Sequence, residues 1–86
     1  MKVSNWYFYV VRCSDDTLYA GVTTDIDRRL REHNNRNNGA KYTRTRRPVK
    51  LAYKEHFKNR STAQKAEYNF KKLTRKQKES VINEAS

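Results

Sequence analysis

Trp6-Tyr7-Phe8-Tyr9-Val10-Val11-Arg12-Cys13, followed by Ser14-Asp15-Asp16 and then Thr17-Leu18-Tyr19-Ala20-Gly21-Val22, is the stretch from which the fold is read. Two runs rich in aromatic and β-branched residues flank a short polar joint, the pattern of a β-hairpin. With a three-residue loop Cys13 opposes Thr17, and alternation along each strand puts Trp6, Phe8, Val10, Leu18, Ala20 and Val22 on one wholly apolar face. The other face carries Tyr7, Tyr9, Val11, Tyr19 and Gly21, with Tyr9 opposite Gly21 and diagonal to Tyr19. A two-residue loop would slip the register by one and mix tyrosines into the apolar set, a poorer packing. Two phenol hydroxyls are therefore expected to meet on one side of the sheet, over a spot that a glycine leaves open.

After the hairpin, Thr24 is expected to cap a helix running to about Asn34. Asp27 takes the capping-box position, and Asp25 and Asp27 suit the positive end of the dipole. At 3.6 residues per turn Ile26, Arg29, Leu30 and His33 share a side, while Arg28, Arg31 and Glu32 turn away. A polar loop over residues 34–39 follows. Pro48 is expected to open a third strand, in which Val49, Leu51, Tyr53 and Phe57 alternate with Lys50, Lys54 and His56. Ser61 with Gln64 reads as the cap of a second helix to about Leu73, and Thr74 with Gln77 as the cap of a third, ending near Asn83. Ala63, Ala66, Phe70 and Leu73 form the stripe of the second helix, with Glu67 at its edge. A carboxylate beside a buried face is costly unless something pairs with it. The expected fold is a single domain over residues 1–86, of α/β (α+β) class, with a three-stranded mostly antiparallel sheet and elements in the order ββαβαα.

Charge narrows the function. Lys and Arg number 20 against 9 acids, a net charge of +11, in a chain of 86 residues. That imbalance costs self-repulsion in a small fold, and the partner it suits is a polyanion, nucleic acid first. Between His33 and Lys54 there is no acid. Within that run Lys41, Tyr42, Arg44, Arg46 and Arg47 mix cations and an aromatic, a composition that grips phosphates and stacks on bases. No apolar run is long enough to cross a bilayer and no signal-peptide pattern opens the chain, so a cytoplasmic location without membrane attachment is expected. The one cysteine, Cys13, has no intrachain disulfide partner, and no obligate protein partner is implied. Surface association of the basic C-terminal helices with anionic lipid is the membrane alternative.

Two glycines are too few for a phosphate-cradling loop of the P-loop or dinucleotide kind, and neither His33 nor His56 stands beside an obvious nucleophile. What these elements bring together is two tyrosines on a sheet face, Arg29 and His33 on one helix flank, and Glu67 on another. This set suits metal-assisted phosphate chemistry. Glu67 is a hard oxygen ligand for Mg²⁺ or Mn²⁺, with water and phosphate completing the shell. Arg29 would neutralise charge on the scissile phosphate, and a tyrosine would take the proton of the attacking water. A free phenol, with a pKa of about 10, needs nearby cations to act as that base.

Tyr7-Phe8-Tyr9, then Tyr19-Ala20-Gly21, then the run Gly21-Val22-Thr23-Thr24-Asp25-Ile26-Asp27-Arg28-Arg29-Leu30-Arg31-Glu32-His33-Asn34, resemble the signature of the GIY-YIG nuclease superfamily. The likeness covers nearly the whole chain. It is nearest to the small stand-alone UPF0213 or YhbQ-like group, which shares Ala40-Lys41-Tyr42-Thr43-Arg44 and Arg47-Pro48. Tyr7 stands where the name-giving glycine would be, and Ala20 where isoleucine would be. The resemblance implies divalent-metal-dependent endonuclease hydrolysis of DNA, with Tyr9, Tyr19, Arg29, His33 and Glu67 as the site and Glu67 on the metal. A non-catalytic nucleic-acid-binding module using the same basic surface is the alternative.

Overall fold

The computed structural model describes residues 5–35 and 46–84. Lys41, Tyr42 and Arg44 of the expected nucleic-acid surface lie outside them. The elements are β1 (Trp6–Arg12), β2 (Leu18–Thr23), α1 (Ile26–Asn34), β3 (Lys50–Phe57), α2 (Arg60–Lys71) and α3 (Arg75–Glu84), the expected ββαβαα order. The sheet is antiparallel, with strand order β2-β1-β3.

The hairpin has the expected register: Tyr9 pairs with Gly21, Val10 with Ala20 and Val11 with Tyr19. Its loop closes with Cys13 N donating to Thr17 O (2.8 Å) and Asp16 N to Cys13 O (2.9 Å). Asp16 takes a left-handed φ of 68°. Aspartate tolerates that region better than most residues, and three-residue hairpin loops place such a residue there.

Each face of the sheet has its own core, as the alternation demands. Phe8, Val10 and Ala20 pack with Phe70 of α2 and Ile82 of α3. On the other side Tyr9, Val11 and Cys13 pack with Val49, and Tyr19, Ile26, Leu30 and Leu51 close around them. Helices therefore cover both faces, α1 on one and α2 with α3 on the other. Trp6, expected in the apolar set, belongs to neither buried cluster; the Arg60 guanidinium lies over its ring at 5.6 Å.

The third strand departs from simple alternation. Val10 pairs with Tyr53 but Val11 pairs with Leu51, so Ala52 is an extra residue in the ladder. The bulge exchanges faces. Val49 and Leu51 join the Tyr9 side, whereas Tyr53 and Phe57 join the Phe8 side. The strand also begins at Lys50 rather than at Pro48, which follows a cis peptide bond.

Two caps differ from expectation. Asp25, not Thr24, caps α1 by accepting from Arg28 N at 3.0 Å, and Thr23 Oγ1 accepts from Asp25 N at 3.1 Å. Asn59, not Ser61, caps α2 by accepting from Thr62 N at 2.9 Å. Each true cap precedes the expected one or follows it by a residue or two, and both are of the preferred type. The α3 capping box is as expected, with Gln77 N donating to Thr74 Oγ1 and Thr74 N to Gln77 Oε1.

Candidate active site

The site is built where α1 lies across the tyrosine face. Strand alternation sends Tyr9 and Tyr19 to that face, and the helical period brings Arg29 and His33 down onto it. His33 is fully buried. Tyr9 Oη lies 2.8 Å from His33 Nε2, and the Tyr19 ring meets the imidazole edge-on at 5.2 Å between centroids. Tyr9 Oη is also hydrogen-bonded to Arg29. A guanidinium only donates, so the phenol oxygen accepts there, and the direction of its bond to Nε2 follows the imidazole tautomer.

Gly21 does not leave a vacant spot under the phenols, as expected, but one that Tyr9 fills. A Cβ on Gly21 would stand 2.6 Å from Tyr9 Oη and 2.9 Å from its Cζ. The glycine lets the ring lie flat across β2, which is how the hydroxyl reaches α1.

The electrostatics follow from burial. His33 is pulled down to about 4, first by burial and then by the Arg29 charge, with Glu32 opposing. Its ring is neutral at physiological pH. Tyr9 is pushed up to about 12 because burial outweighs the Arg29 hydrogen bond and charge, with Tyr19 and Glu67 adding to the rise. Burial works against the Arg29 charge as well, but hydrogen bonds to Glu32 and Tyr9 outweigh it and its pKa moves up. Arg29 Nη1 donates to Glu32 Oε1 at 3.0 Å, and its side chain remains 27% exposed.

Glu67 comes from the other layer. Its helix packs on the Phe8 face, yet Glu67 sits at the flank of the buried stripe, and its charge is the least of the causes that raise Tyr9. A cleft of about 270 Å³ along edge strand β2 links the two layers. Tyr19 and Lys71 both line it, together with Leu18, Ala20, Phe70 and Lys78. Lys71 Nζ in turn holds Glu67 Oε2 at 2.9 Å. The edge strand is thus the place where a residue of one face can meet a residue from the helix on the other.

Among the described residues no three His, Cys, Asp or Glu side chains group as a metal cage. A cation here would have the Glu67 carboxylate as protein ligand and take water and substrate oxygens for the rest. That donor set fits Mg²⁺, which keeps most of its waters and is commonly held by one or two carboxylates with phosphate. The Glu67 side chain is 20% exposed and Lys71 occupies its Oε2 at 2.9 Å, so a cation bound there would take the place of that ammonium.

Of the expected nucleic-acid residues, Arg46 sits at the hairpin loop. Its Nε lies 3.1 Å from Asp15 Oδ2, and its carbonyl accepts from Ser14 N and Oγ. Arg47 is half-buried beside it. Two structural residues were not evident from spacing. Asn34 clasps the start of β3 by accepting from Val49 N (2.8 Å) and donating to Val49 O (3.2 Å). Glu79 accepts a bidentate pair from Arg12 at 2.7 and 2.9 Å and binds Arg75 at 2.6 Å, tying α3 to β1. The helix-ending asparagine was a signal for the first; nothing local signals the second.

The GIY-YIG catalytic domain family matches residues 5–80, and the chain belongs to that family. Within it the chain falls in the UPF0213 group. It is 51% identical to the UPF0213 protein YazA of Bacillus subtilis over 84 residues, covering 98% of this chain and 84% of that protein. It is 52% identical to the UPF0213 protein lin0209 of Listeria innocua over 83 residues, 96% of this chain and 91% of that one. The solution NMR structure of a UPF0213 protein from Bacillus halodurans superposes with a TM-score of 0.60 at 40% identity. That of a protein from E. faecalis superposes with 0.62 at 52% identity. Each alignment covers 92% of this chain and 83% of the other.

Proposed function

We propose that this protein hydrolyses DNA phosphodiester bonds as a divalent-metal-dependent endonuclease. The observation that carries the reading is the meeting of Tyr9, Tyr19, Arg29 and His33 under α1. Glu67 would hold Mg²⁺ or Mn²⁺, which when bound supplies a Lewis acid for a phosphate oxygen. Arg29, partly exposed, offers planar donors to the charge that develops on the phosphate.

The two tyrosines divide the work. Tyr9, raised to about 12, keeps its proton at neutral pH and so orients Arg29 and His33. Tyr19, half-buried and lining the cleft, would take the proton of the attacking water. Neutral His33 fixes both rings from behind. Arg46 and Arg47, with Lys41, Tyr42 and Arg44, would hold the DNA backbone as positioning contacts. A cytoplasmic location fits this substrate; no described helix is long and apolar enough to cross a membrane.

Cleavage of linear, nicked, flap and four-way DNA with Mg²⁺ or Mn²⁺ tests the proposal. Glu67→Gln should remove cleavage, and Arg29→Ala should slow it by about 10²–10³. A wild type that cuts none of these, with no metal-induced NMR shift near Glu67, would overturn it. The second reading is a nucleic-acid-binding module that does not cleave. The Glu67–Lys71 ion pair favours it, since such i,i+4 pairs ordinarily decorate helix surfaces.

A further inference from the structure

The outer face of α2 presents Tyr68, the large apolar side chain most open to solvent among the described residues, at 61% exposure. It adds nothing to either core. Lys72 Nζ lies 4.2 Å from the centre of its ring, and Lys71 and Lys65, three residues to either side, are exposed on adjoining parts of the helix surface. Tyr68 directly follows Glu67, so the ring stands about 100° around the helix from the carboxylate, with Lys71 between them on the surface.

We propose that Tyr68, with Lys71 and Lys72, is a stacking subsite for an unpaired DNA base adjoining the phosphate at Glu67. The inference rests on the DNA-cleavage reading for the identity of its ligand and adds the structure that ligand must have. A base inside a duplex has both faces covered by its neighbours and cannot lie on a protein ring. A base freed at a flap, a nick or a single strand can, and aromatic rings set among cations are the means by which proteins hold such strands. The ammonium of Lys72 covers one face of the ring and leaves the other for a base, while that of Lys71, held on Glu67 at 2.9 Å, lies toward the phosphate expected at that carboxylate. The small footprint of the ring suits one base rather than a continuous strand groove.

Binding measured without cleavage tests this. The full chain in EDTA is titrated into fluorescein-labelled oligo-dT and into a blunt duplex of equal length, followed by anisotropy. Base–aromatic stacking is worth about 1–3 kcal/mol, so Tyr68→Ala should weaken oligo-dT binding about fivefold or more while duplex affinity stays within about twofold. Tyr68→Phe should bind as wild type, and Tyr68→Leu, apolar but without a π face, should behave as the alanine variant. Lys72→Ala should lower the slope of log K against log salt on oligo-dT by about 0.7. Equal losses on both DNAs, or leucine binding as well as phenylalanine, would overturn the subsite. The two proposals fail separately: selective loss in Tyr68→Ala in a protein that cuts nothing keeps the subsite and removes the nuclease. Cleavage without that selectivity does the reverse.

Discussion

Mild acid should destabilise this protein through one imidazole. His33 is fully buried and its pKa falls from an ordinary 6.5 to about 4, because burial and the Arg29 charge both oppose a second proton. Between those values the unfolded chain binds a proton that the folded chain refuses, so stability falls as pH falls through that window. For these two pKa values the loss between about pH 7 and about pH 5 is about 2 kcal/mol, rising to about 3 kcal/mol near pH 4. That is a large share of the 5–15 kcal/mol, about, that holds an ordinary domain together. The window is clean. Glu79 and Asp15, the acids with resolved shifts, are both lowered from values of 4.5 and 3.8, so their contributions fail only at lower pH. Urea unfolding followed by circular dichroism at intervals from about pH 7 to about pH 5 measures the slope. His33→Gln keeps a polar partner for Tyr9 but cannot titrate, and its stability should be flat across this range. A wild type as flat as the variant, or a variant falling as steeply as wild type, would refute the assignment.

Gly21→Ala should cost about 1–3 kcal/mol in urea unfolding, because its Cβ would meet the Tyr9 ring and the surrounding core must shift. The same change should disturb the Tyr9–His33 hydrogen bond, and NMR of the imidazole nitrogens would register it; an unshifted His33 would show that the ring has room to spare. Glu79→Gln should cost about 1 kcal/mol at most at neutral pH, since the network it joins is part-exposed and screened. Arg12 and Arg75 hold Glu79 at about 2, so its contribution is present above pH 4.5 and disappears as the pH approaches 2. The two stability curves should therefore converge between pH 4.5 and about 2, and a variant that runs parallel to wild type through that range would contradict the account.

Local pattern carried the reading a long way. Period-two alternation around Tyr9 and Tyr19 foretold the hairpin register, the two-faced sheet and the sharing of a face by two phenols. The 3.6 period brought Arg29 and His33 to the sheet and left Glu67 at the edge of the α2 stripe. Where several cap-forming residues stood in a row, pattern could not choose among them, and Asp25 and Asn59 took the place expected for Thr24 and Ser61. The alternation expected for β3 fails at Ala52, because a bulge depends on how the partner strand lies and not on the residues of the strand itself.

What the chain alone determined is therefore the set of elements, their faces and the residue types each face offers, since these rest on periods and propensities that neighbouring residues decide. The assembled protein decided the rest: that Tyr9 fills the space over Gly21, that His33 is sealed and neutral, and that Arg12 meets Glu79 across 67 positions of sequence. Burial and long-range ion pairing depend on every layer at once, and no stretch of sequence carries them.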